Sequence, residues 1–370
     1  MVHLLHTFFR AFIILYYIIF VDCQKFLAGA YNVFYIENKL YYIAINVNKH
    51  FYIDLKNVSL ENETIYSSQW LNIAKPPSYI KMSHPFIGGN SNKKLFFIDQ
   101  SLDVLYVDTF NTKLNKWEAN NSYNGLPNTK FLLFDSWVFN ETTGISYSFQ
   151  GLNIGVVMFD TINFAWINSI SNPQNLFPRS SFLSKCIPVL LSNCQILYIG
   201  GEFSNIHKYQ ILMDRILTYD SIKDSWQFNN TTGKTPEWRK YHTVVLTSDG
   251  RIIVYGGQNN LSMPATPSLT VLDTSKIPFE WSTPTEENSI GRLIHHTSVM
   301  VKNYMITAFG TNVSEKGDDL DNYNIYKLDT SNLSNYKWSL LSNYTLQSIS
   351  PFPNTTIKPN SEVNNASFNE

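Results

Sequence analysis

One three-part order recurs along most of this chain, and it restricts the fold more than any other feature. A residue pair closes an apolar strand, an apolar–Asp step closes the next, and a tryptophan follows. The pairs are Ala44-Ile45, Asp99-Gln100, Gln150-Gly151, Gly200-Gly201, Gly256-Gly257 and Phe309-Gly310. The aspartates are Asp54, Asp108, Asp160, Asp220, Asp273 and Asp329, spaced by 54, 52, 60, 53 and 56 residues. The tryptophans are Trp70, Trp117, Trp166, Trp226, Trp281 and Trp338, six of the eight in the chain. A fixed order at such a period marks a repeat architecture, in which a unit buries its apolar faces only by stacking on its neighbours.

Each repeated residue has a physical task. Glycine at a strand end lets the backbone turn, or approach a neighbour, where a Cβ would clash. An Asp side chain accepts hydrogen bonds from N–H groups just beyond it and so fixes a turn. The Thr or Ser after it (Thr109, Thr161, Ser221, Thr274, Thr330) suits the same turn. Trp carries a large apolar area into the wedge between adjacent sheets. The repeated residues are therefore expected to be structural.

Between these markers lie short runs rich in Val, Ile, Tyr and Phe, bounded by polar turns, and no long stretch has a helical period. Four strands per unit and six units predict an all-β, six-bladed β-propeller; seven blades is the alternative, although no seventh Asp–Trp pair is found. QILYIGG…LTYDSIKDSW and RIIVYGG…TVLDTSKIPFEW carry the pattern most fully. On those residues the chain resembles the kelch-repeat family across about residues 30–345, with the first two units degenerate.

Some kelch propellers, the galactose-oxidase group, hold a copper ion on His and Tyr ligands beside a Cys–Tyr cross-link. That resemblance implies a secreted copper oxidase as one alternative function. His242 and His296 occupy matching positions in consecutive units, but no further ligand cluster with metal spacing accompanies them. The preferred reading makes both structural and expects no cofactor. Arg179, Arg239 and Arg292 stand ahead of inner strands in the last three units. They form either a basic ring for an acidic ligand or a set of contacts between blades, and the second is preferred. Hydrolase elbows, P-loops and dinucleotide fingerprints are missing from the sequence.

Residues 1–23 read as a secretory signal: Arg10, the apolar run Ala11–Val21, and a cut after Cys23. An uncleaved segment would instead tether the chain to a membrane at a cell surface. Twelve N-x-S/T sequons fit export: Asn57, Asn62, Asn120, Asn140, Asn229, Asn230, Asn260, Asn312, Asn332, Asn343, Asn354 and Asn365. Whether Cys186 and Cys194 are bridged is open, since a tight turn at Ser192-Asn193 pairs Cys194 with Leu191 and a bridge needs a wider loop. A net charge of −1 gives no electrostatic case for nucleic acid. The expected organisation is a signal over 1–23, a propeller over 24–345 and a polar tail over 346–370. The expected function is secreted, non-catalytic binding of a protein or glycan through the loops Leu55–Gln69, Gly201–Arg215, Gly257–Ser268 and Thr311–Asn322.

Overall fold

A computed structural model describes residues 31–44, 50–66, 69–77, 85–101, 104–129, 136–177, 182–204, 212–314 and 319–343. The signal segment, the tail and Arg179 lie outside the described residues.

The elements of the described chain are strands, with a short 3-10 turn at Gln174–Leu176. Its strands group into four-stranded antiparallel meanders taken in chain order, and parallel pairing of residues 231–233 with 279–281 joins the fourth to the fifth. The first runs Tyr31–Ile36, Lys39–Ala44, Phe51–Asp54 and Trp70–Asn72. The second runs Phe86–Gly88, Lys94–Ser101, Val104–Asn111 and Lys116–Glu118, and the third Trp137–Asn140, Ile145–Phe149, Val156–Asp160 and Ala165–Asn168. The fourth comprises Ile187–Leu190, Gln195–Ile199, Arg215–Asp220 and Ser225–Gly233. The fifth comprises Lys240–Leu246, Arg251–Gln258, Leu269–Asp273 and Phe279–Ser282, and the sixth Thr297–Val301, Tyr304–Ala308, Ile325–Asp329 and Asn335–Ser342. Two small sheets, Phe182–Ser184 with Glu202–Ser204 and Leu293–Ile294 with Thr311–Asn312 and Leu320–Asp321, decorate one end.

The second strand of a unit is buried on both faces, which is why QILYI and RIIVY are unbroken apolar runs. Ile252 and Val254 pack toward the fourth unit, and Ile253 and Tyr255 toward the sixth. The same division operates at every joint. Tyr41 and Ile43 meet Leu95 and Phe97; Phe96 and Val107 meet Val157 and Phe159; Tyr147 and Phe149 meet Ile196 and Tyr198. The last joint returns to the start: Tyr42 and Phe51 of the first unit pack on Ile306 and Phe309 of the sixth. The first strands lie side by side from the first unit round through the sixth, fifth, fourth and third to the second, so they are innermost. This arrangement is consistent with a β-propeller.

The tryptophans sit on the outermost strands, one in each joint: Trp70, Trp117, Trp166, Trp226, Trp281 and Trp338 belong to six different apolar clusters. Four are also pinned by polar contacts across the joint: the Trp70 indole N–H donates to Ser342 Oγ at 3.2 Å and that of Trp117 to the Ala74 carbonyl at 2.6 Å. The Trp281 indole N–H donates to the Met213 carbonyl at 2.8 Å, and that of Trp338 to Glu286 Oε1 at 2.7 Å.

Five of the six aspartates accept hydrogen bonds from N–H groups just beyond them: Asp54 from Lys56, Asp160 from Ile162, Asp220 from Ile222, Asp273 from Ser275 and Asp329 from Ser331. Asp108 departs from the expectation. It lies inside the strand Val104–Asn111 and accepts from Asn120 instead, at 2.7 Å. The turn is made by Asn111, whose Oδ1 accepts from Leu114 at 3.1 Å. Asn offers the same acceptor as Asp, so the second unit keeps the turn with a different residue. Thr112, not Thr109, is then the hydroxyl after the turn residue. It donates to the Lys93 carbonyl, as Thr161, Ser221, Thr274 and Thr330 do to Gly144, Cys194, Gly250 and Asn303. Each hydroxyl staples the third strand to the hairpin joining the first two.

Leu55–Gln69, expected as a contact loop, also has a structural task. In an antiparallel meander it emerges at the opposite end from the other three excursions, and it clamps the joint between first and last units. Leu60 and Ile65 enter that apolar cluster, the Ile65 N–H donates to the Leu341 carbonyl at 2.7 Å, and buried Lys327 donates to the Leu60 carbonyl.

Candidate functional site

The double glycines and the two histidines explain one another. A Cβ on Gly200 would lie 2.5 Å from the His242 ring and 2.6 Å from the Arg239 carbonyl; one on Gly256 would lie 2.7 Å from the His296 ring and 2.2 Å from the Leu293 carbonyl. The first glycine therefore clears the imidazole of the next unit. The second clears its own unit's innermost strand or the chain leading into it, since a Cβ on Gly257 would meet the Lys240 carbonyl at 2.9 Å and one on Gly310 the Ile294 carbonyl at 2.5 Å. Gly201 holds φ +87°, and its carbonyl accepts from the Trp238 indole at 2.6 Å. Gly88, outside the repeat register, has a packing role as well: its Cβ would meet Thr161 at 2.6 Å. At the closing joint Phe309 replaces the first glycine, and its ring lies 4.6 Å from that of Tyr31 and 5.5 Å from that of Tyr42.

Both histidines are buried, and desolvation pushes each down to about 3, so they stay neutral at pH 7. His296 Nε2 meets Thr243 Oγ1 at 2.8 Å, and that hydroxyl continues to Ser298 and Thr307. His242 and His296 thus occupy successive joints. Among the described residues no group of three or more His, Cys, Asp or Glu side chains is placed to hold a metal ion, and Cys186 and Cys194 are free thiols. These residues do not fit the copper centre that the galactose-oxidase resemblance implies.

Of the three arginines, Arg239 and Arg292 are among the described residues. Arg239 is fully buried, and its guanidinium donates to the carbonyls of Glu237, Gly256 and Pro267 at 3.2, 3.0 and 2.8 Å. Burial holds it down to about 10, against the pull of Glu237, so it remains charged at pH 7. The Arg292 backbone binds Asn312 and Val313.

A different set of side chains gathers at the end of the innermost strands. Lys185, Tyr241 and His295 each stand one residue before Cys186, His242 and His296, and each adopts a left-handed backbone, with φ of 59°, 59° and 54°. Non-glycine residues in that region are strained, and such strain gathers at functional sites. The Lys185 ammonium lies 5.0 Å above the Tyr241 ring, whose centroid is 4.0 Å from that of His295. Lys240 approaches Tyr241 and Trp238 at 5.6 and 5.9 Å. Glu202 ties the cations together, pairing with Lys185 and, at 3.0 Å, with Lys240. Burial raises the Glu202 carboxyl, but the hydrogen bonds and charges of both lysines outweigh it and leave the group below its ordinary value. Burial lowers Lys185, and its bonds to Glu202 and Tyr241 reverse this and leave it raised. His295 is held low by desolvation and by the Lys185 charge. Sequence reasoning missed this mouth because only its backbone geometry repeats, not its residue types. A cationic, aromatic and hydroxyl-bearing rim on rigid strands suits recognition of a polar ligand by stacking and hydrogen bonding.

No protein-family model matches this chain, and no curated protein matches it by sequence. Solved structures do match. One is that of YjhT, a kelch-like protein of β-propeller type, which aligns with a TM-score of 0.56 and 11% identity over 84% of this chain and 97% of that one. The fold is of the β-propeller type. At such identity the likeness extends to the fold alone and carries nothing of the chemistry.

Proposed function

We propose that this chain is an exported, six-bladed propeller of kelch type that holds a protein or glycan partner without catalysis. In this reading residues 1–23 direct export, 24–345 form the propeller, and 346–370 are a polar tail. Six apolar joints, each with its own tryptophan, support the blade number. The observation that carries the binding role is the row Lys185–Tyr241–His295, three strained residues side by side where the innermost strands begin. A propeller offers a stiff platform, and its ligands are chosen by what stands on its end.

The test is a pull-down and a glycan array with the full chain, followed by Tyr241→Ala and Lys185→Ala. Each is expected to weaken retention of the partner by ~10-fold or more, as loss of an aromatic or cationic anchor does. Ile277→Ala, an exposed change at the opposite end, is expected to leave retention intact. A partner held equally by the mouth variants and lost with Ile277→Ala would move the binding face to the other end.

A further inference from the structure

The sequons are not equivalent, and the structure separates them. N-glycosylation joins the Asn Nδ2 to the anomeric carbon of a polyprenyl-pyrophosphate oligosaccharide. The N–C bond forms, the C–O bond to pyrophosphate breaks, an amide proton leaves, and the polyprenyl pyrophosphate departs. The modified nitrogen must afterwards stand clear of the fold.

Three sequons fail that requirement. Asn140 is buried; its Oδ1 accepts from the Thr142 and Thr143 N–H groups, and its Nδ2 faces Cys194 Sγ at 4.0 Å. Asn229 donates through Nδ2 to Thr218 Oγ1 at 3.0 Å, and that threonine is fully buried. Asn312 accepts from the Arg292 N–H at 3.0 Å, and its Nδ2 sits 2.4 Å from where a Cβ on Gly291 would be. A sugar on any of these nitrogens would have to displace the contact that holds it.

The other sequons among the described residues are exposed, and Asn354 and Asn365 lie outside them. Asn57 and Asn62 lie in the clamp between the third and fourth strands of the first unit, and Asn332 lies in the matching turn of the sixth. All three are at the end opposite the mouth. The Asn332 side chain uses only its Oδ1, for Ser334, which leaves Nδ2 for the sugar. Asn230 is on an outermost strand, and Asn120 and Asn343 follow outermost strands, so these three are on the outer rim. Asn260 is in the connection between the second and third strands of the fifth unit, at the same end as the mouth but away from the axis.

We infer that N-linked glycans occupy the exposed sequons on the outer rim and the far end, with Asn260 as an outpost, and are refused at Asn140, Asn229 and Asn312, so that the Lys185–Tyr241–His295 mouth stays bare. This rests on the proposed export, and it deepens the binding reading: the sequon nearest Arg292, at the mouth's end, is the one pressed against backbone.

The experiment is expression of the full chain in a secretory eukaryotic cell, removal of glycans by an amidase in heavy-oxygen water, and peptide mapping of the Asn-to-Asp label. The expected result is label at Asn57, Asn62, Asn120, Asn230, Asn260, Asn332 and Asn343, with Asn140, Asn229 and Asn312 unlabelled; Asn229 and Asn230 share a peptide and are told apart by its fragment ions. Label at Asn140 or Asn312, or none at the far-end set in protein recovered from the medium, overturns the inference. A chain kept in the cytosol overturns the export reading instead. The same mapping after residues 1–23 are replaced by a strong heterologous signal then decides the glycan pattern separately.

Discussion

Acid should weaken this protein well above the pH at which its carboxylates protonate. Among the described residues three histidines are buried: His242 and His296 in successive joints, and His50 beneath the first unit. Desolvation pushes His242 and His296 down to about 3 and His50 to about 4. His50 Nδ1 also accepts the Ala44 N–H at 3.2 Å, a bond that only an unprotonated nitrogen makes. In the unfolded chain each titrates near its ordinary value of ~6.5. Below that pH the unfolded state binds protons that the folded state refuses. The stabilisation is therefore fully present above about 6.5 and is lost as pH falls toward the folded values. At pH 5 the difference is ~1.5 units, or ~2 kcal/mol per histidine and ~6 kcal/mol for the three. That is comparable with the whole stability of an ordinary domain, ~5–15 kcal/mol. Urea titrations at pH 7.5, 6 and 5 are expected to show the midpoint falling by ~2 M across the range, for an m-value of ~3 kcal/mol/M. Replacing His296 by Gln removes one of the three titrations, and the slope with pH should fall by about a third. A midpoint constant down to pH 5, or a slope untouched by the substitution, would refute the reasoning.

Three further outcomes follow from the joints and turns. Gly256→Ala places a Cβ 2.2 Å from the Leu293 carbonyl at φ +67°, whereas Gly250→Ala meets nothing nearer than 3.6 Å at φ +88°. The first should cost about 3 kcal/mol or more and the second only ~1–2 kcal/mol, measured as thermal-unfolding shifts. Phe309→Ala empties the closing joint and is expected to cost ~3–5 kcal/mol in the same assay. Asn111→Ala should destabilise about as much as Asp160→Ala, by ~1 kcal/mol, because each removes the acceptor that fixes the equivalent turn.

Much of the frame was legible because its parts act locally or through large side chains. Trp281 and Trp338 declare a joint by bulk, and RIIVY declares burial on both faces. The second unit was misread at Asp108 because one acceptor can stand for another, and only the strand register shows that Asn111 holds the turn. The closing joint was illegible because Phe309 and Tyr31 replace the glycine–imidazole pairing used at the two joints before it. The mouth was illegible for a related reason: Lys185, Tyr241 and His295 share a backbone conformation and a place but no chemistry that a sequence pattern can match.

The return of the sixth unit to the first is the claim on which the rest depends. It can be tested with a double variant, Ile65→Cys with Ser342→Cys, in a chain whose Cys23, Cys186 and Cys194 are replaced by serine. These two positions are paired as a parallel bridge, with the Ile65 N–H 2.7 Å from the Leu341 carbonyl. Bridge partners lie ~4.8 Å apart, within the ~4.4–6.8 Å that a disulfide spans between Cα atoms. The account predicts an intramolecular disulfide under mild oxidation, seen as faster migration on a non-reducing gel and a cross-linked peptide pair by mass spectrometry. Two free thiols in a chain that still melts cooperatively would contradict it.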